Sequence, residues 1–187
     1  MLHILFGLLL AKAGAPATST PASLPICAKK KDPLSALCAL GADASKARFD
    51  CVQPQILTIC QPRNTLTWAC IYAVPFGEKL PSVTYQATFD HDGPPIKDGD
   101  KIDSTAHKRI GKVRGVDVRI SIASDAEGKR RAAEISSQFL AWGCAAGETY
   151  RDTSRFQCGA WDARVSYNDI IRAVTVSAAE TGKLDCQ

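Results

Sequence analysis

Eight cysteines constrain this chain more than any other feature: Cys27, Cys38, Cys51, Cys60, Cys70, Cys144, Cys158 and Cys186. Five precede residue 71 and three follow residue 143. Both halves hold an odd number, so complete pairing inside each is impossible and at least one bridge joins them. The chain therefore reads as one fold tied end to end, and not as two modules split at the long cysteine-free stretch. Eight half-cystines allow about 105 pairings. The short span from Cys144 to Cys158 favours a local bridge, and parity then sends Cys186 into the N-terminal cluster.

Disulfides require an oxidising compartment, and the first residues supply a route to one. MLHILFGLLLAKAGAPA carries a short apolar core followed by small residues with two A-x-A cleavage patterns. It reads as a secretory signal peptide over 1–17, followed by a flexible Pro/Ser/Thr-rich lead over 18–26 and a single domain over 27–187. No later segment has the apolar length of a membrane span. Secretion to the exterior is the expectation. With 45% hydrophobic and 22% charged residues in 187, the composition suits one globular domain.

Asp32-Pro33 pairs an N-cap with proline at the first helical position, and Gly41 supplies a stop, which predicts a short helix over 33–40 burying Leu34, Leu37 and Cys38. TLTWACIYAV alternates with Leu66, Trp68, Cys70, Tyr72 and Val74 on one face. SVTYQATFD does so with Val83, Tyr85, Ala87 and Phe89, and VDVRISI with Val116, Val118, Ile120 and Ile122. These predict strands, the first two an antiparallel pair. Ser124 and Glu127 form a capping box for a long helix that ends at Gly143, with Ala132, Ile135, Phe139 and Trp142 as its apolar stripe and Gly128 weakening its first turn. The stretch 145–162 reads as an irregular disulfide-held loop with room for short strands, and the β-branched run 170–178 as a final strand, with a helix as its rival. The predicted class is α+β: a disulfide-stabilised sandwich of an antiparallel sheet with one long and one short helix.

Zinc sites need ligands two to four residues apart, whereas no cysteine pair here is closer than nine, so no metal or other cofactor is expected. An even cysteine complement leaves no free thiol as nucleophile, and G-x-S-x-G is absent. His91, His107 and Lys108 are candidates for the base, acid and phosphate clamp of a secreted ribonuclease. Asp90, Asp92, Asp98, Asp100 and Asp103 crowd one Gly/Pro-rich loop where two carboxylates could flank a sugar or hold calcium. Turn chemistry accounts for Asp92-Gly93 and Asp98-Gly99, and the EF-hand register is missing. Lys108, Arg109, Lys112, Arg114 and Arg119 form a basic run that could meet an anionic surface, while the lack of interleaved aromatics argues against single-stranded nucleic acid. Lys108-Arg109 and Lys129-Arg130 are also dibasic sites for a kexin-type protease, the second shielded by the predicted helix.

The signal peptide, polar lead, eight cysteines and α+β pattern without a catalytic signature resemble the small cysteine-rich secreted proteins of fungi, including effectors of plant pathogens. From KDGDKI through VDVRISI, the helix ending LAWGC and the terminal strand closing at LDCQ, residues 97–187 are similar in order to killer-toxin-like α/β sandwiches. A second cysteine soon after Gly143-Cys144 is missing from the pattern. The resemblance implies a secreted molecule that acts by binding a protein or anionic surface of a host or competitor. A wall-associated structural protein is a third class.

Overall fold

The computed structural model describes residues 24–28, 32–46, 53–57, 65–73, 82–92 and 108–182, with 53–57, 65–73, 82 and 91 described through their backbone. Two 3-10 turns, Pro25–Ala28 and Pro33–Ala39, precede β1 (Gln53–Leu57), β2 (Thr65–Ala73), β3 (Ser82–His91) and β4 (Arg109–Ser121). Helix α1 (Asp125–Ala141) follows, then β5 (Ala145–Ala146), β6 (Thr153–Gln157), β7 (Trp161–Asn168) and β8 (Ala173–Glu180). The eight strands form one sheet in the order β1-β2-β3-β4-β8-β7-β6-β5, and every neighbouring pair is antiparallel. The fold is α+β and disulfide-braced, as expected, but richer in sheet.

The predicted helices form where their caps stand. The Asp32 side chain accepts from the Leu34 N–H at 2.9 Å, and Leu34 and Leu37 are buried. The turn is 3-10 instead of α: seven residues opened by a proline and pinned by a disulfide favour the tighter i→i+3 bonds, seen from Ser35 N–H to the Asp32 carbonyl and from Leu40 N–H to the Leu37 carbonyl. In α1 the Ser124 hydroxyl accepts from the Glu127 N–H at 3.3 Å. Gly143, at φ +86°, ends it in the left-handed region that only glycine enters freely. Ile135 and Phe139 are fully buried, with Ala132 and Trp142 packed beside them.

One face of the sheet holds the core. The register aligns Val83, Ile120, Val174 and Tyr167 in one row, Tyr85, Val118, Val176 and Val165 in the next, and Ala87, Val116, Ala178, Ala163 and Phe156 in a third. These apolar rows cluster with Leu34, Leu37, Ile135 and Phe139, so the 3-10 turns and α1 cover the same face. Beyond β8, residues 41–44 occupy the edge of β4: Gly41 N–H donates to the Val113 carbonyl (2.8 Å) and Ala44 N–H to that of Gly111 (2.9 Å).

Four expectations need correction. Leu24 and Ile26, assigned to the flexible lead, are 4% and 5% exposed, because two large aliphatic side chains reach the core beside the first turn. In the region 145–162 the short strands that the reading allowed are present as β5, β6 and the start of β7, and they pair in a regular antiparallel meander instead of an irregular loop. The last strand begins at Ala173, because Asn168 Oδ1 accepts from the N–H groups of Ile170 (3.0 Å) and Ile171 (3.1 Å) and folds 169–172 into the β7–β8 turn. Both isoleucines are exposed. Gly128 is a packing requirement, not a weak point: a Cβ there would lie 2.1 Å from Cε2 of Tyr167. That ring is fixed by its hydroxyl, which donates to Asp125 at 2.8 Å. Gly128→Ala is therefore expected to lower stability by about 1–3 kcal/mol through overpacking, although alanine is the better helix former by about 1 kcal/mol. A rise in the urea midpoint would mean that the ring yields freely.

Two bridges are seen among the described residues, Cys27–Cys38 between the 3-10 turns and Cys144–Cys158 from the end of α1 to the end of β6. Cys51, Cys60 and Cys186 lie outside the described residues, and Cys70 stands opposite Tyr85 in the β2–β3 register. If all eight cysteines are oxidised, Cys186 must pair with Cys51, Cys60 or Cys70. Non-reduced peptide mapping should find such a fragment; a Cys186 thiol that alkylates without reduction would contradict it.

Candidate functional site

The face opposite the helices is built from the other half of the same alternation. Its central row runs Gln86, Asp117, Ser177, Arg164 and Arg155; a second runs Thr84, Arg119, Thr175, Ser166 and Thr153. A third is Thr88, Gly115, Ala179, Asp162 and Gln157. Antiparallel sheets commonly leave one face to water, and a plain solvated face would need nothing further. This one has a centre. Thr84, Gln86, Asp117, Arg119, Arg164, Thr175 and Ser177 line a shallow concavity of ≈ 190 Å³ across β3, β4, β8 and β7. Ser177 is 1% exposed although it belongs to the solvent side.

Asp117 sits at the middle of this concavity. Burial is the main influence on its carboxyl and pushes its pKa above the ordinary 3.8; a hydrogen bond with Ser177 and the charges of Arg164 and Arg119 oppose that shift without cancelling it. The folded protein thus holds the Asp117 proton more tightly than the unfolded chain does. Its contribution to stability is most favourable below pH 3.8, declines as pH rises toward the folded pKa, and stays unfavourable above it. A carboxylate kept where it opposes folding is a common mark of a functional position.

The basic run predicted to bind does not form one patch. It follows β4 and its approach, and the eleven residues from Arg109 to Arg119 alone extend roughly 33 Å at strand rise. Lys108 and Lys112 are exposed. Arg109 lies over the Phe89 ring at 5.7 Å. Arg114 is taken up by two carboxylates: its Nε donates to Asp90 at 2.9 Å, and its Nη1 lies 3.6 Å from Glu180. Arg119 alone of the five joins the concavity.

The remaining candidates are scattered. His91 pairs with Arg109 at the end of β3 through its backbone, and His107 lies outside the described residues. Asp92 is structural: its carboxylate accepts from the Lys108 N–H at 3.0 Å, and its own N–H donates to the Lys108 carbonyl at 3.1 Å, joining the end of β3 to the start of β4. Asp98, Asp100 and Asp103 lie outside the described residues. No group of acidic, histidine or cysteine side chains fit for a metal occurs among the described residues, nor does a helix long and apolar enough to cross a membrane. Of the dibasic pairs, Lys129-Arg130 is inside α1, where Arg130 pairs with Glu134; Lys108-Arg109 runs into β4.

Sequence reasoning missed Asp117, Arg164 and Ser177 as a set. The signal was present in WDARVSYN, which alternates Trp161, Ala163, Val165 and Tyr167 with Asp162, Arg164, Ser166 and Asn168, a strand pattern as regular as any in the chain. No protein-family model matches the chain, and neither a curated protein nor a solved structure matches it.

Proposed function

We propose that the protein is secreted and acts by binding, as an effector-like or toxin-like molecule that engages a host or competitor target through the sheet face opposite the helices. The observation that carries this reading is the arrangement of that face: a polar concavity with Asp117 at its centre, flanked by Arg119 and Arg164, on a sheet whose other side carries the core along β3, β4, β6, β7 and β8. Disulfides at Cys27–Cys38 and Cys144–Cys158 fit life in an oxidising exterior. The toxin-like part rests on the order of strand, helix, Gly143-Cys144, loop cysteine, strand and final cysteine. A rigid sheet is a good platform for such a role, because its side chains are positioned by backbone pairing instead of by mobile loops.

Labelled, oxidised protein applied to washed plant, fungal and animal cells tests the reading. Saturable retention on at least one surface is expected, lost in the double variant Arg119→Glu/Arg164→Glu and kept in Arg130→Glu on the outer side of α1. Retention indifferent to the sheet variants would overturn it. So would RNA cleavage by the purified protein that disappears in His91→Ala or His107→Ala, since that would place the activity in a ribonuclease site.

A further inference from the structure

We infer that the end of the sheet carrying the β7–β8 turn is a self-association surface, on which two copies of this chain pair about a two-fold axis perpendicular to the sheet. The inference goes beyond the binding reading above and uses a different part of the molecule.

Two apolar turn tips stand at that end. Ile170 and Ile171 are 88% and 53% exposed in the β7–β8 turn, and Tyr150 is 67% exposed in the turn before β6. The Tyr167 N–H donates to the Asp152 carbonyl at 3.4 Å, which sets the second turn beside the end of β7. Hydrogen bonds tie both turns: Tyr150 and Thr153 exchange backbone bonds at 3.0 Å, Asn168 closes the β7–β8 turn, and the Arg172 carbonyl accepts from the Ile122 N–H at 2.8 Å. Turn tips ordinarily carry Gly, Asn, Asp or Ser. Here the left-handed positions hold Arg151 (φ +51°) and Arg172 (φ +46°), the only non-glycine residues with positive φ among the described ones. Glycine would sit at either without strain, so these arginine side chains are kept against a backbone cost.

The order of charges says what meets them. The strands β6, β7, β8 and β4 lie side by side. Along their common end the β6 turn carries Arg151, the shoulders of the β7–β8 turn carry Asp169 and Arg172, and the β4–α1 junction carries Asp125, all exposed. The charges of Asp125, Asp169 and Arg172 all act on the Tyr167 hydroxyl, so they share one neighbourhood. The sign thus alternates plus, minus, plus, minus. A two-fold axis perpendicular to the sheet reverses that order in the facing copy, so Asp169 meets the second copy's Arg172 and Arg151 meets its Asp125, with Ile170 and Ile171 meeting their own counterparts at the axis. Asp152, next to Arg151, adds a negative charge on the side of the second copy's Arg172. An axis within the sheet plane would set like charge on like. A patch that is its own complement fits a second copy better than a partner of one sign.

Magnitudes separate this from lipid binding and set the strength. A single myristoyl chain gives only marginal attachment to a bilayer, ~10⁴ M⁻¹, and two isoleucines and a tyrosine, with Ile171 already half covered, offer less hydrocarbon. The three side chains present on the order of 400 Å² per copy, or about 800 Å² in a pair, below the ~1,200 Å² of a stable interface. The dimer is therefore weak, with Kd about 10⁻⁵ to 10⁻³ M.

Sedimentation equilibrium of the purified, oxidised protein from ~1 μM to ~1 mM provides the test. A reversible monomer–dimer equilibrium is expected, with association lowered tenfold or more in Ile170→Ser/Ile171→Ser. Asp169→Arg and Arg172→Asp should each fail to self-associate, whereas an equimolar mixture of the two should pair, because one copy then presents two positive shoulders and the other two negative. A damaged fold cannot produce that rescue. A protein monomeric throughout the range, dimers unaffected by the isoleucine variant, or a mixture of the charge variants that stays monomeric while both unfold at the wild-type urea midpoint would each overturn the inference. So would a monomer that co-sediments with phosphatidylcholine vesicles through Ile170 and Ile171, which would make the tips a lipid contact. None of these outcomes depends on Arg119 or Arg164, so the binding reading stands or falls separately.

Discussion

Phe139→Ala is expected to lose about 3–5 kcal/mol of folding stability, the largest effect of any single truncation considered for this molecule. Phe139 is fully buried at the point where α1 meets the sheet. Its ring stacks on Phe156 of β6 with centroids 5.1 Å apart and planes 15° apart, meets Trp142 edge-on at 5.1 Å, and lies 6.1 Å from Trp161 of β7. Its carbonyl accepts from the Cys144 N–H at 3.1 Å where the chain leaves the helix. Truncation would open a cavity whose walls are three other rings, each anchored on a different segment, so the site cannot collapse cheaply. Chemical denaturation reads the loss as a lower midpoint with an unchanged slope. A loss below about 1.5 kcal/mol would mean that α1 does not dock as described.

Replacing both Cys144 and Cys158 by alanine is expected to cost about 2–5 kcal/mol, close to the ~3 kcal/mol that chain entropy assigns to a loop of this size. The bridge spans a sequence separation of 14 and encloses β5, the turn at Tyr150 and β6. Only two residues of β5 pair with β6, at Ala145↔Gln157 and Ala146↔Phe156, a ladder too short to hold itself. Both half-cystines are buried in the same cluster as Phe139 and Trp161, so their removal also loosens packing. The measurement is the urea midpoint of the double variant, with hydrogen exchange expected to rise first in 145–157. Exchange that rises uniformly over the sheet would contradict a local role.

Much of the core was legible in the sequence because period-2 and period-3.6 patterns state which side chains share a face. Asp32-Pro33, Ser124 with Glu127 and Gly143 stand where the chain caps its helices, and the stripe Ala132, Ile135, Phe139, Trp142 faces inward as its spacing requires. What the sequence left open was pairing. Nothing local says that β8 joins β4 to β7, and that pairing alone brings Arg164 beside Ser177 and Asp117. A charged residue at an outward strand position reads as solvated until its cross-strand neighbours are known. The basic run misled for the same reason: consecutive charges along a strand are not neighbours on a surface, and Arg114 had partners, Asp90 and Glu180, 24 and 66 positions away.

We propose that the sheet face opposite the helices keeps the Asp117 carboxylate, at a position that opposes folding, for a ligand. The most direct measurement is urea denaturation of the oxidised protein and of Asp117→Asn across pH 7 to pH 3. Asp117 faces Arg119 on its own strand, Ser177 on β8, Arg164 on β7 and Gln86 on β3, so the amide keeps a hydrogen-bonding neighbour while losing the buried charge. The variant is predicted to be the more stable protein at pH 7, with the gap closing as pH falls toward 3.8 and the wild-type carboxylate takes up its proton. A variant equally or less stable at pH 7 would contradict the account, because Asp117 would then be a support of the sheet and not a group held there for a ligand.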